Sequence, residues 1–220
     1  MIAIFLFVVS LPLFGQDIVT AERYLEMVSQ RYTSIQDYEA KINIRSGTTE
    51  MTGTVAHVAP SFLRLDFTRP ANQVIVFNGD QLTVYLPEYQ AVLNQAVTEA
   101  NRNSSASLAT ARGLSMLRRN YTTSYLTGPD SQPLETGSKE LVIKLKLSRR
   151  SSSEGFRELT LSIDPETYLI RRIEGRTVTD TLVRFDFSAV KINQGIPEQR
   201  FMYDSPSSAS MYNNFLFRNQ

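Results

Sequence analysis

Alternation of apolar and polar side chains is the strongest signal in the chain, and it is densest between residues 60 and 87. Within residues 63–68 every second side chain is apolar, which is typical of a strand with one buried face. Two further apolar segments follow at residues 74–77 and 82–86, with Asn78-Gly79 between them. Asn-Gly is a strong hairpin signal, because both central residues of a type I′ turn require positive φ. The pattern therefore predicts a strand followed by a β-hairpin.

The predicted hairpin also assigns side chains to faces. A two-residue turn at Asn78-Gly79 places Ile75 opposite Leu82 and Phe77 opposite Asp80. Facing residues of an antiparallel pair lie on the same side of the sheet, so the hairpin continues the apolar face of the preceding strand. The apolar wall predicted in this way consists of Leu63, Leu65, Phe67, Ile75, Leu82 and Val84.

Two segments have the spacing of amphipathic helices. Residues 17–33 carry apolar side chains at helical intervals, and Asp17 or Thr20 is suited to cap the first turn. Residues 108–121 repeat the pattern after a polar connector at residues 101–107. The apolar stripes of the two helices consist of Leu25, Val28, Tyr32, Leu114, Leu117 and Tyr121.

Short alternating segments fill much of the remaining chain. They predict strands at residues 38–45, 51–58, 88–97, 141–147, 159–163, 168–174 and 183–187. Residues 128–138 are rich in Gly, Pro, Ser and Asp and predict a surface loop. No helix-length pattern separates the later strands, so we expect an antiparallel sheet rather than a doubly wound one. The predicted fold class is mainly β (α+β), a curved antiparallel sheet with two helices.

A sheet with one broad apolar face must be covered, and two helices offer little area for so many strands. Two interpretations follow. Either the apolar side chains form an ordinary packed core, or the helices cover a curved sheet loosely and leave an apolar hollow that a ligand can fill. The pattern of residues leaves both interpretations open.

Composition and charge exclude several classes of function. The 220 residues include 23 Lys and Arg against 22 Asp and Glu, so the net charge gives no sign of a nucleic-acid partner. With no cysteine and a single histidine, His57, the chain lacks the ligands for a His- or Cys-based metal site. No nucleophile motif accompanies His57, and Asp164 and Glu166 are typical of turn chemistry. We predict a protein that is not an enzyme and uses no cofactor.

The N-terminus has the features of an export signal. Residues 1–15 lack charged side chains, and their apolar run at residues 2–13 is too short to span a bilayer. We interpret residues 1–15 as a signal peptide cleaved near Gly15-Gln16, followed by a single domain at residues 16–220. Gln16 stands where a lipoprotein would carry cysteine. These features predict an exported, soluble, periplasmic protein, and a form anchored by an uncleaved segment is the alternative.

The region that ends at residue 87 resembles the signature region of the LolA family, the periplasmic carriers of outer-membrane lipoproteins. The resemblance rests on Gly53, Pro60, residues 62–67, Pro70, residues 74–77, Asn78-Gly79 and residues 82–87, with a further similarity at residues 201–206. Two positions depart from the family pattern. Ala59 stands where the family has an arginine that hydrogen-bonds the lid, and Thr83 replaces a tryptophan.

The resemblance implies an incomplete, half-open antiparallel β-barrel whose helices form a lid over an apolar cavity that shelters acyl chains. It implies acylated lipoproteins or lipids as cargo, and an inner-membrane lipoprotein-releasing transporter and an outer-membrane acceptor as partners of a monomeric carrier. The alternative is a non-enzymatic envelope binding or regulatory module of the same fold that acts through protein contacts. Together with the strand pattern, the resemblance predicts a lipid-binding cavity lined by Leu63, Leu65, Phe67, Ile75, Leu82, Val84, Ile143, Leu145, Leu161, Phe185 and Phe187. It predicts a lid formed by Leu25, Val28, Tyr32, Leu114, Leu117 and Tyr121.

Overall fold

A computed structural model of the chain describes residues 19–97 and 108–215. The predicted signal peptide and the polar connector at residues 101–107 lie outside these ranges. Neither helix in the described ranges has the length and apolar composition of a membrane-spanning segment. The described chain forms two α-helices, thirteen strands and short 3₁₀ turns.

Both helices lie within the segments that the sequence predicts, and each is shorter than predicted. Helix α1 spans Ala21–Thr33 and helix α2 spans Ala111–Asn120. Each begins after a threonine whose hydroxyl accepts a hydrogen bond from a backbone N–H in the first turn. Thr20 accepts from Arg23 at 3.2 Å, and Thr110 accepts from Gly113 at 3.1 Å.

The strands make up most of the described chain. In chain order they are β1 Asp37–Ser46, β2 Thr49–Val58, β3 Phe62–Arg69, β4 Val74–Phe77, β5 Gln81–Leu86, β6 Ala91–Ala96, β7 Tyr121–Tyr125, β8 Gln132–Pro133, β9 Leu141–Arg149, β10 Phe156–Ile163, β11 Ile170–Thr177, β12 Leu182–Ile192 and β13 Ser210–Asn213. A 3₁₀ turn at Pro87–Tyr89 delays the start of β6, so this strand is shorter than the predicted one.

One sheet joins these strands in the order β13-β6-β5-β4-β3-β2-β1-β12-β11-β10-β9-β7, with the short β8 paired to β9. Every pair is antiparallel except β13 and β6, which run parallel. Within the described ranges the ends of the order, β13 and β7, do not pair with each other, so the barrel is not closed. The prediction of a mainly β fold with an antiparallel sheet that forms an incomplete barrel is confirmed.

The register of the β4–β5 hairpin differs from the predicted one. Ile75 faces Val84 and Phe77 faces Leu82, which is a shift of two residues on β5. The turn is therefore longer than two residues. It is stabilised by the side-chain oxygen of Asn78, which accepts hydrogen bonds from the backbone N–H groups of Asp80 and Gln81. A shift of two leaves each side chain on its predicted face, since the strand period is two.

The two helices pack on one face of the sheet, here called the inner face, which carries Ile42, Leu65 and Leu161. Helix α1 is fixed to the β7–β11 half of the sheet. The hydroxyl of Tyr32 accepts a hydrogen bond from the N–H of Ile170 at 3.1 Å, at the start of β11. The helices therefore cover that half of the inner face, while the side chains of β3 to β5 on the same face are mostly half-buried.

The opposite, outer face is covered over β2–β4 by the segment after β12. Its 3₁₀ turn, Glu198–Phe201, inserts Phe201 against Ala56 and Val76, and the ring of Phe201 lies 5.4 Å from that of Phe62. Arg64 on β3 donates to the carbonyl oxygen of Arg200 at 2.8 Å. We call residues 196–203 the outer strap, because they hold three strands together from outside.

Phe201 should be a major source of stability although it lies outside the main core. Its side chain is 1 % exposed, whereas that of the adjacent Met202 is 70 % exposed. Because a buried Phe→Ala substitution costs about 3–5 kcal/mol, Phe201→Ala should lower the free energy of unfolding by about that amount. Met202→Ala should change it by less than about 0.5 kcal/mol. Urea unfolding measures both, and equal effects would mean that the strap does not stabilise the sheet.

His57 is buried on the inner face near the end of β2. Its Nδ1 lies 2.7 Å from the carbonyl oxygen of Phe62, and its ring lies 5.3 Å from that of Tyr38. A carbonyl oxygen only accepts, so Nδ1 is the donor and carries the proton in the neutral ring. Burial lowers the pKa of His57 below its ordinary value, and the hydrogen bond to Phe62 opposes this shift. The environment is that of a structural residue.

The lowered pKa of His57 predicts a loss of stability in mild acid. The unfolded chain takes up a proton on this ring near pH 6.5, above the pKa of the folded protein, so the stabilisation is complete above that pH and falls below it. Urea unfolding between pH 8 and pH 5 should therefore show a steeper decline for the wild type than for His57→Gln. Parallel pH profiles of the two proteins would contradict this assignment.

Candidate functional site

A hollow of about 260 Å³ lies between the inner face of the sheet and the segment that leads into α2. Six neighbouring strands, β3, β2, β1, β12, β11 and β10, form its floor, and Leu108 and Ala109 lie against it from the helix side. The described residues that line it are Ile42, Ile44, Val55, Leu63, Leu65, Leu108, Ala109, Phe156, Ile173, Phe185 and Phe187. The hollow sits at the border between the helix-covered half of the sheet and the uncovered half.

Alternation along the strands produces the floor of the hollow. Ile42 and Ile44 on β1 face Phe187 and Phe185 on β12, and Val55 on β2 faces Leu65 on β3. In each strand the residues between these point to the outer face. The apolar floor thus belongs to the strand pattern itself, although it combines strands that are far apart in the sequence.

The chemistry of the hollow is uniform. Every described residue that lines it is apolar, so it offers dispersion contacts and exclusion of water rather than charge or directed hydrogen bonds. An engineered apolar cavity of about 150 Å³ stays dry and binds a small hydrocarbon, and ligand pockets usually start at about 300 Å³. At about 260 Å³ the hollow lies between these two volumes, so it has room for the apolar groups of a ligand rather than for a whole drug-sized molecule.

No group of three His, Asp or Glu side chains able to hold a metal ion occurs within residues 19–97 and 108–215. The outer face does carry a polar depression of about 430 Å³, lined by Lys41, Asn43, Thr54 and Asp186 among others. Its walls differ in character from those of the hollow, because the polar residues of the strands alternate onto this face.

The structure distributes the eleven predicted cavity residues over three environments. Leu63, Leu65, Phe185 and Phe187 line the hollow. Phe67, Ile75 and Ile143 belong to the adjoining core, and Leu145 and Leu161 are fully buried within that core. Leu82 and Val84 are half-buried on the inner face of β5, towards the uncovered edge of the sheet.

Several residues that line the hollow were not predicted from the sequence. The alternation of Ile42 and Ile44 was visible, but only the pairing of β1 with β12 places these residues at the centre of the sheet. Phe156 and Ile173 depend likewise on the position of β10 and β11, and Ala109 on the path of the chain into α2. Strand order is the missing information, since it joins segments more than a hundred residues apart.

The six predicted lid residues all lie in the main core. Leu25, Val28 and Tyr32 of α1 are buried, as are Leu114, Leu117 and Tyr121 in or next to α2. Arg118 of α2 and Glu26 of α1 form an ion pair at 3.5 Å between the helices. Ala59, where the resemblance leads one to expect arginine, is exposed, and its backbone N–H donates to the carbonyl oxygen of Gln36. Contact between the helices and the inner face is therefore mainly apolar.

Comparison with solved structures finds the same fold in several bacterial proteins. A conserved protein of Thermus thermophilus described as uncharacterized aligns with a TM-score of 0.54 and 15 % identity, over 88 % of this chain and 98 % of that one. The lipoprotein LppX of Mycobacterium tuberculosis gives a TM-score of 0.53 and 10 % identity, over 80 % and 97 %. At these identities the likeness concerns the fold alone.

A third neighbour is found in the MucA/MucB complex of Pseudomonas aeruginosa. It aligns with a TM-score of 0.52 and 14 % identity, and the match covers 86 % of this chain. The match spans about 62 % of the length of that neighbour. None of the three structures carries the name of an enzyme.

Sequence comparison identifies the family. An outer-membrane lipoprotein carrier protein of Dechloromonas aromatica (strain RCB) is 22 % identical over 162 residues, which cover 74 % of this chain and 71 % of the relative. The family model described as outer membrane lipoprotein carrier protein LolA matches residues 43–204. That match begins within β1 and includes the other strands that form the floor of the hollow, up to β12. The chain belongs to the LolA family.

Proposed function

We propose that this protein is a periplasmic carrier that binds the acyl chains of lipoproteins, or of another lipid, in the inner-face hollow and ferries them from the inner to the outer membrane. Membership of the LolA family supports a carrier role. The observation that carries the proposal is the apolar hollow of about 260 Å³ at the border of the helix-covered sheet.

The energetics favour such a site. Burying a methylene group is worth about 0.8 kcal/mol, so an acyl chain crosses an aqueous compartment only inside an apolar shelter. The hollow supplies that shelter without buried polar groups among its described lining residues, so a chain that enters it leaves no unpaired donor or acceptor behind. Leu82 and Val84 extend the apolar face towards the open edge and give longer or additional chains a surface to follow.

A carrier must also release its cargo, and partial coverage of the sheet suits this requirement. We propose that α1 and α2 together form the lid, and that α2, with Leu108 and Ala109 before it, is the part that moves. The helix has only 10 residues, and Leu114 and Leu117 are its buried leucines. With Ala59 in place of arginine, closure would rest on apolar contact, which a competing acyl chain can replace.

Export, partners and oligomeric state follow from the same proposal. Residues 1–15 would direct export and be removed, and residues 16–220 would form a single carrier domain that works as a monomer. An inner-membrane lipoprotein-releasing transporter would load the carrier, and an outer-membrane acceptor would unload it. The rival proposal is a non-enzymatic envelope module of the same fold that acts through protein contacts.

The two proposals differ in what the purified protein contains. Mass spectrometry of protein isolated from its native host should detect lipids or acylated peptides bound in about one-to-one proportion if it is a carrier. Protein that is free of lipid, and that fails to bind a triacylated lipopeptide added in vitro, would favour the binding or regulatory module.

Leu65 provides a direct test of the hollow as the binding site. A carboxylate at this half-buried position would be desolvated by an acyl chain, which costs about 1–3 kcal/mol or more, so Leu65→Glu should weaken binding of a fluorescent triacylated lipopeptide at least about tenfold. The protein should still fold, because the side chain borders a hollow and not a filled core.

Thr68→Glu is the matched control, since it adds the same charge to the exposed, outer side of the same strand. It should bind the lipopeptide as the wild type does. Circular dichroism and urea unfolding verify folding of both variants. If Leu65→Glu unfolds the protein as a substitution in a filled core would, the hollow is not a binding site.

The lid proposal predicts a difference in backbone hydrogen exchange. Amides within residues 101–121 should exchange faster than those within residues 61–87, because a short helix beside a hollow opens locally at low cost. Addition of the triacylated lipopeptide should slow exchange in the first segment and leave helix α1 nearly unchanged. Equal protection of both segments, with no response to the ligand, would mean that α2 is a static part of the fold.

A further inference from the structure

Phe156 forms the side of the hollow that faces β10 and β11. It is the first residue of β10, its side chain is half-buried, and its ring lies on the inner face. The backbone at this point is fixed, because the hydroxyl of Tyr121, at the end of α2, donates to the carbonyl oxygen of Phe156 at 3.0 Å. The ring therefore borders the hollow from a backbone position that a hydrogen bond fixes.

The ring rests on Gly175 of β11. A Cβ atom at position 175 would lie 2.6 Å from both Cδ1 and Cε1 of Phe156, and 3.0 Å from Cδ2 of Leu159. Contacts this short do not occur, so a side chain at position 175 would displace the ring. The φ angle of Gly175 is not positive, so the backbone itself does not require glycine there. What position 175 requires is space for the ring.

We propose that Phe156, seated on Gly175, is the end wall of the hollow and sets the length of acyl chain that the hollow accepts. This inference rests on the carrier function proposed above and assigns its chain-length specificity to one pair of residues. The ring closes the hollow on the β10–β11 side, while Leu63 and Leu65 lie on the β3 side. A chain that enters from the open half of the sheet therefore ends at the ring.

The pair can be changed in two opposite directions. Phe156→Ala removes the ring and lengthens the hollow over Gly175 and Leu159. Gly175→Ala places a methyl group 2.6 Å from two ring atoms, so the ring should move away from β11 into the hollow and shorten it. In the double variant the methyl group at position 175 meets no ring, so the effect of Gly175→Ala should largely disappear.

The readout is affinity as a function of chain length. The probes are peptides with one saturated N-acyl chain of about 8 to 18 carbons and a fluorescent label, titrated with the whole mature protein. Each methylene that enters the hollow should strengthen binding about fourfold, and the gain should stop where the chain reaches the wall. Phe156→Ala should move this plateau to longer chains by about two methylenes or more, and Gly175→Ala should move it to shorter chains.

Phe201→Ala is the control for loss of stability, because it removes a buried ring on the outer face, away from the hollow. It should lower stability and leave the plateau where it is in the wild type. Phe156→Leu keeps the test decisive if Gly175→Ala does not fold. It replaces the ring by a smaller side chain and leaves β11 unchanged. It should move the plateau in the same direction as Phe156→Ala, by a smaller step.

The possible failures are distinguishable. If the wild type binds no acyl peptide, both the proposed carrier function and the proposed role of Phe156 are wrong. If the wild type binds with a plateau and Phe156→Ala leaves that plateau unchanged, the carrier function stands and Phe156 is not the wall. A plateau that moves equally in Phe201→Ala would also overturn the inference, because the shift would then follow from general loosening of the fold.

Discussion

The fold is governed by a mismatch of area between one apolar sheet face and the helices available to cover it. The face runs across a sheet of thirteen strands, whereas α1 and α2 have only 13 and 10 residues. Burial of apolar surface is favourable, so the helices pack where the sheet is richest in leucine and isoleucine, over β7–β11. The hollow lies where this cover ends. Its position thus follows from the shortage of helix rather than from any dedicated pocket motif.

A loosely covered inner face needs rigidity from elsewhere, and the outer face provides it. The outer strap inserts Phe201 across β2–β4, and the Arg64 guanidinium binds both Asp66 on its own strand and the strap carbonyl of Arg200. On the other half of the sheet, Arg172 of β11 pairs with Asp186 of β12. These contacts join neighbouring strands without filling the hollow. Under the proposed carrier function, these contacts would keep the sheet in place while the lid moves.

The features predicted correctly from sequence are those that local patterns encode. Alternation identified the faces of β3, β4 and β5, and helical spacing identified the stripes that include Leu25 and Leu114. The contacts that were missed join distant segments. Neither the pairing of β1 with β12 nor the seat of Phe156 on Gly175 has a local signal, because each depends on the order of strands in the sheet. A glycine in a strand indicates a close approach, but its partner emerges only in three dimensions.

The hairpin between β4 and β5 shows how the inner face can persist while the chain around it changes. Its turn is longer than a two-residue turn by an even number of residues, and Leu82 and Val84 still face inwards. An even change in length at this tip preserves the wall, whereas an odd change would rotate the whole of β5 and expose its leucines to water. Evolution can therefore reshape the tip in steps of two to suit a new neighbour. The interior and the periphery of this protein are free to diverge at different speeds.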